Sequence, residues 1–179
     1  MIYKISVFIL LQIISLSISR LSVSQNDFTH AGYGFTISFP VGWEMRTRFP
    51  NNIVVEGYDN YMSVTVSVYY DESFSGMTIK DFDKNELMKD ILKSSKFKFK
   101  DFIINDYGES TLGGRNAYYF ISSYTNVTTY KVKKKYKSIQ YMILKDEYMY
   151  IVSGSNIEDE EIDRFSKIKG ILSSFSFTN

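Results

Sequence analysis

The side chains able to do chemistry in this chain are few in kind. There is one histidine, His30, and no cysteine among 179 residues. The missing cysteine excludes disulfides, thiolate nucleophiles, Cys-ligated zinc and iron–sulfur clusters. A single histidine excludes every two-His metal site and leaves one imidazole for any Ser–His arrangement. His30 lies beside Ala31 and Gly32 with no Gly-x-Ser-x-Gly elbow to serve. It therefore reads as a surface residue of a poorly ordered mature start.

Carboxylates are the other acid–base resource. Asp71, Glu72, Asp106 and Glu109 fall near the ends of predicted strands, and a hydrolase could use two of them. Nothing in their spacing selects a pair. Asp81-Phe-Asp83-Lys-Asn85 matches the first half of a calcium loop. The match then fails, because Glu86 stands where the loop needs glycine and Leu92 where it needs glutamate. These residues read as the polar first turn of a helix. There is no Walker A, dinucleotide or His-Glu-x-x-His motif. The glycosylation triplet Asn126-Val-Thr128 matters only on a eukaryotic secretory route. No cofactor and no metal is expected.

The densest charge feature is Lys131, Lys133, Lys134, Lys135 and Lys137, interleaved with Tyr130 and Tyr136. One reading is a basic patch for an anionic polymer, a lipid headgroup or an acidic protein. The other is a hairpin tip that lysines keep solvated and unpaired. Tyrosines between lysines also suit single-stranded nucleic acid, but the near-zero formal charge of +1 supplies no bulk attraction to it. Partner-binding candidates are thus Lys131, Lys133, Lys134, Lys135, Lys137 and Tyr136. The expected partner is an envelope or extracellular protein, not nucleic acid.

The elements that must position these groups follow from periodicity. Phe35–Phe39 alternates apolar and polar until Pro40. Ile53–Glu56 and Ser63–Tyr70 follow, the latter with Val64, Val66 and Val68 on one face and Ser63, Thr65 and Ser67 on the other. Phe102–Tyr107 and Ala117–Tyr124 flank Gly113-Gly114, which permits a tight hairpin. Ser138–Lys145 and Tyr148–Ser153 pair around Lys145-Asp146-Glu147. That makes about seven strands in hairpin order, so mostly antiparallel.

Two helices interrupt them. Thr78–Ser95 has Thr78 and Asp81 at capping spacing and an apolar face of Leu87, Met88, Ile91 and Leu92. The second helix is predicted from Ile157 to Phe175, with Asn156 as N-cap and Glu158, Asp159, Glu160 and Glu161 in the dipole-favoured first turn. Phe165, Ile168, Leu172 and Phe175 form its buried stripe. The fold class is α+β, a central, mostly antiparallel sheet of six to seven strands flanked by two helices.

Ahead of this pattern stands an export signal. Lys4 precedes the apolar run Ile5–Ile18, and Ser17, Ser19, Ser22 and Ser24 follow it. As a helix the run reaches about 21 Å, short of a ~30 Å hydrocarbon core, which favours a cleaved signal over the alternative of an uncleaved N-terminal anchor. Small residues at Ser22 and Ser24 place cleavage after Ser24, leaving 25–179 as a single domain without a stable membrane span. A lipoprotein is excluded because no cysteine is available for acylation. Loss of Lys4 and Arg20 takes the formal charge from +1 to −1. A chain of this length buries roughly 70% of its extended surface without staples. Export without disulfides suits a periplasmic or extracellular setting in a bacterium.

The segment Gly34-Phe-Thr-Ile-Ser-Phe-Pro-Val-Gly-Trp43 resembles the opening signature of the PsbP-like superfamily, a strand ending in proline with a tryptophan soon after. Leu112-Gly113-Gly114-Arg115-Asn116-Ala117 resembles that family's Gly-Gly-x-x-Ala turn, and Tyr148–Val152 precedes a C-terminal helix ending Ser173-Ser-Phe175. The resemblance runs from Tyr33 to Phe177. It implies an α/β/α sandwich and a binding or assembly role without catalysis. Members include an extrinsic photosystem II subunit and a nuclear factor that binds a small GTPase. The export signal and the lack of a transit peptide imply neither job here, but a place among exported bacterial relatives. The competing readings are a small carboxylate hydrolase, or a carrier of an apolar ligand in a closed, aromatic-lined cavity of roughly 300 Å³ or more.

Overall fold

The computed structural model describes residues 25–49, 52–127, 132–158 and 163–178, so the segment read as an export signal lies outside the described residues. In chain order the elements are β1 (Gln25–His30), β2 (Phe35–Pro40), β3 (Glu44–Arg46), β4 (Ile53–Tyr58), β5 (Met62–Tyr70), α1 (Lys84–Lys98), β6 (Lys100–Leu112), β7 (Arg115–Val127), β8 (Lys133–Lys145), β9 (Tyr148–Ile157), α2 (Arg164–Leu172) and β10 (Ser176–Phe177). Seven strands form one antiparallel sheet in the order β3-β4-β5-β9-β8-β7-β6. The expected Gly113-Gly114 hairpin is present, both glycines with positive φ, as a two-residue turn with the right twist requires. The last hairpin turns on Asp146-Glu147, with Lys145 paired to Tyr148.

Alternation assigns the two faces. On one, Val64, Val66, Ile139, Ile143, Tyr150 and Val152 are buried under α2 and a second, three-stranded sheet β1-β2-β10. On the other, Phe102, Tyr118, Phe120 and Met142 meet Met88 of α1 and Ile79 before it. The helices therefore lie on opposite faces, and the α+β architecture is an α/β/α sandwich.

Four expectations need correction. The Phe35–Phe39 strand is not in the main sheet. Phe35, Ile37 and Phe39 are wholly buried on one side, so β2 lies over the main sheet as a second layer. The segment expected to be poorly ordered is not: β1 pairs with β2 from Gln25↔Pro40 to His30↔Phe35. Within it, His30 Nδ1 accepts the Tyr33 N–H at 3.0 Å, and the imidazole stacks on Tyr33 and Phe35 at 4.7 and 5.9 Å. The Thr78–Asp81 pair closes a separate 3₁₀ turn at Ile79–Asp81, and Asp83 caps α1 by accepting the N–H groups of Asn85 and Glu86. Finally, Asn156 and Ile157 continue β9. Pairing of Asn156 to Met62 and Ile157 to Tyr136 outweighs the capping preference. Asp163 caps α2 instead, accepting from the Ser166 N–H at 3.1 Å. Glu158 is exposed, and 159–161 lie outside the described residues.

Tyr150 sits where the layers meet, its hydroxyl donating to the Tyr33 carbonyl at 2.8 Å. Burial pushes its phenol from 10.0 up to about 12. The unfolded chain loses this proton at a lower pH than the folded one. The resulting contribution is intact below pH 10.0 and falls as the pH rises toward about 12. Denaturant titrations across that window should show declining stability, with a shallower decline in Tyr150→Phe. An equal slope in the variant would refute the assignment.

Candidate functional site

The carboxylates suggested for hydrolysis are not brought together. Asp71 and Glu72 follow β5, whereas Asp106 and Glu109 lie on β6, four strand spacings away, about 19 Å. Asp71 is engaged locally, its carboxyl held below the usual range by the Ser73 N–H. Asp106 accepts from the Tyr119 hydroxyl at 3.0 Å. The half calcium loop is likewise spent on capping: Asp81 is held below the usual range by Thr78, and Asp83 closes α1. Among the described residues no group of three His, Asp or Glu side chains is placed to hold a metal.

The lysine segment forms the start of β8. Its neighbours stop early: β6 pairs with β7 no further than Lys100↔Thr125, and β9 with β8 no further than Ile157↔Tyr136. The pairs Asn126↔Lys134 and Val127↔Lys133 continue alone, so β7 and β8 project as a two-stranded arm. Strand alternation divides the lysines. Lys133, Lys135 and Lys137 take the α2 side, and Lys137 Nζ lies 4.5 Å over the Phe165 ring. Lys134 and Tyr136 take the α1 side, where Tyr136 stacks on Tyr124 at 5.4 Å. Lys133 and Lys135 are exposed, and among the described residues neither they nor Lys134 forms an ion pair. Lys131 and Tyr130 lie outside the described residues.

A second feature escaped the sequence reading. α1 covers the β6–β7 end of its face, leaving the β5–β9–β8 region open. Register aligns Ser63, Ser155, Ser138 and Ser122 in one row across four strands. Thr65, Ser153 and Gln140 form the next row. Such short side chains make a trough between taller neighbours. Its hydroxyls pair along the rows: Ser63 with Ser155 at 3.0 Å, Thr65 with Ser153 at 2.7 Å, and Ser122 with Ser138 at 2.7 Å. Ser95 and Lys98 of α1 form one wall and Phe99, Phe102 and Tyr124 another, enclosing about 470 Å³. Phe99 and Tyr124 are in ring contact at 4.4 Å. Burial pushes the Tyr124 phenol up, while a hydrogen bond with Ser155 opposes the shift. The signal was present as hydroxyls on the outward face of four strands, but only pairing register places them side by side. With a hydroxyl floor, this is not the closed apolar cavity that a carrier of an apolar ligand needs.

No protein-family model matches the sequence, and no curated protein matches it. Solved structures do. The solution structure of cyanobacterial PsbP (CyanoP) from Synechocystis sp. PCC 6803 matches with a TM-score of 0.62 at 14% identity, over 87% of this chain and 93% of that one. The Saccharomyces cerevisiae Ran-binding protein Mog1p matches at 0.54 and 9% identity, over 88% and 97%. LpqN, involved in cell envelope biogenesis of Mycobacterium tuberculosis, matches at 0.54 and 13% identity, over 87% and 91%. The fold is PsbP-like, as the order of motifs implied.

Proposed function

We propose that the protein is an exported, non-enzymatic binding or accessory module, residues 25–179 forming one PsbP-like domain after removal of 1–24. It acts by docking the projecting β7–β8 arm on an acidic face of an envelope or extracellular protein. The arm carries the reading: its pairs Asn126↔Lys134 and Val127↔Lys133 extend past both neighbouring strands, and Lys133, Lys134 and Lys135 form no ion pair among the described residues. Uncompensated charge of one sign steers and orients an encounter more than it adds affinity. Two similar folds accord with such work, one in a Ran-binding protein and one in a protein of cell envelope biogenesis. Export rests on the charged, apolar, small-residue order of the first 24 residues. No described helix is long and apolar enough to cross a membrane.

Chemical crosslinking in intact producing cells, followed by mass spectrometry, tests both parts. The mature N-terminus should be Gln25, and crosslinks should join the arm to one acidic protein. Replacing Lys133, Lys134 and Lys135 with glutamine should abolish that crosslink and its salt-sensitive pull-down while leaving thermal stability unchanged. Retained binding would return these lysines to a solvating role. Sedimentation with phosphatidylglycerol vesicles, lost in the same variant, would point to a lipid surface and overturn the protein partner.

A further inference from the structure

We infer that the trough between α1 and the sheet is a binding site for a neutral saccharide. It is separate from the arm and independent of the docking proposal. Its size lies within the roughly 300–1,000 Å³ of small-molecule sites.

The lining chemistry selects among ligand classes. A metal ion would need carboxylates, and the described lining residues include none. An anion would need convergent cations or free backbone N–H groups. The trough offers Lys98 alone, and the part of α1 that borders it is the C-terminal half, whose carbonyl end repels negative charge. An apolar ligand would strip water from the serine rows and return no hydrogen bonds, an unfavourable exchange at every hydroxyl. A sugar meets none of these objections. Each serine or threonine hydroxyl is both donor and acceptor and spends only part of that capacity on its row neighbour. Gln140 adds an amide with both functions. Ser63, Thr65, Ser153 and Ser155 are all partly accessible, so this capacity faces the trough. Phe99 and Tyr124, in ring contact with each other, add an apolar flank to which the C–H groups of a sugar can pack. Polar groups aimed from rigid strands, with an aromatic flank, make a site that fixes orientation.

The test is an NMR titration of the isotope-labelled full chain with maltotriose, cellotriose and chitotriose at millimolar concentration, with inorganic phosphate and laurate as controls. At least one trisaccharide should shift the amides of Ser122, Ser138, Ser153 and Ser155, with neither control doing so. Ser153→Val and Ser155→Val, which suit a strand and fill the trough, should each weaken that binding about tenfold or more, because they remove hydrogen-bonding partners and space together. If either variant misfolds, the shift map of the unmodified chain still decides the question. Silence toward all three sugars, or shifts confined to other surfaces, overturns the proposal. A response to phosphate alone or laurate alone overturns it in favour of an anion or an apolar ligand.

Discussion

Gly57→Ala should destabilise the protein by about 1–3 kcal/mol, the usual cost of overpacking a core. In a Phe39→Ala background the same change should cost nothing or return about 0.4–1 kcal/mol. A Cβ built on Gly57 falls on ring carbons Cδ1 and Cε1 of Phe39, a wholly buried side chain. The ring cannot simply swing aside. It stacks on Trp43 at 6.4 Å, and its strand is pinned between β1 and β10. Gly57 is not in the left-handed region, so alanine brings no backbone strain of its own. With the ring gone, only the entropic benefit of losing a glycine remains. Phe39→Ala alone should cost about 3–5 kcal/mol through lost burial and a residual cavity. Chemical denaturation of the two single variants and the double variant closes the cycle. Additive losses would show that β2 does not key into β4 through this contact.

Keying of this kind explains which parts of the fold were legible in the sequence. Apolar patterning and turn residues alone found β4, β5, β7, β8 and β9 and the Phe102–Tyr107 part of β6. They also marked β2 as a strand but placed it in the wrong sheet. Alternation reports that one face is buried, not whether the burying partner is a helix or a second sheet. β1 was missed for another reason. Asn26, Asp27 and Thr29 are exposed and carry no apolar alternation, and the strand exists because β2 offers it a free edge. The second helix was drawn too long because Asn156 and the acids after it imitate a helix start. Ladder pairing on both sides of β9 holds Asn156 extended.

The candidate sites divide in the same way. The lysine cluster is contiguous in sequence and was visible as such, yet its division between two faces comes from strand alternation. The serine trough was half visible. Ser63, Thr65 and Ser67 were correctly set opposite the valines of β5, but Ser122, Ser138 and Ser155 join that row only through the register of three further strand pairs. A site assembled across strands leaves no local motif.

A larger effect than at Gly57 is expected at Gly154, where valine should cost at least the ~3 kcal/mol upper range of ordinary overpacking. Gly154 lies at the centre of β9, paired with Val64 on one side and Ile139 on the other. Its row across the sheet continues through Val64 to Gly57, so the two glycines alternate with a valine. Each leaves a hole for a knob from the covering layer, Phe39 above Gly57 and Ile168 above Gly154. A Cβ on Gly154 would fall on Ile168 Cγ2 and lie 3.3 Å from Val64 Cγ2. Ile168 is fully buried on α2, and Val64 belongs to the sheet itself, so the helix is the part that must move. Lifting α2 disturbs Leu172 beside Ile168, and then Phe175 and Phe177. Phe177 carries β10 against β2, and its ring meets Tyr150 at 5.0 Å. Damage at one glycine therefore reaches both sheets. Gly154→Val should speed hydrogen exchange throughout Arg164–Leu172 and in β10, while leaving α1, on the opposite face, protected. Ile168→Ala, costly alone, should recover part of the loss when combined with Gly154→Val, because it empties the space the valine needs. Uniformly faster exchange in α1 and α2 would instead show that the layers unfold together and that the hole at Gly154 does not act locally.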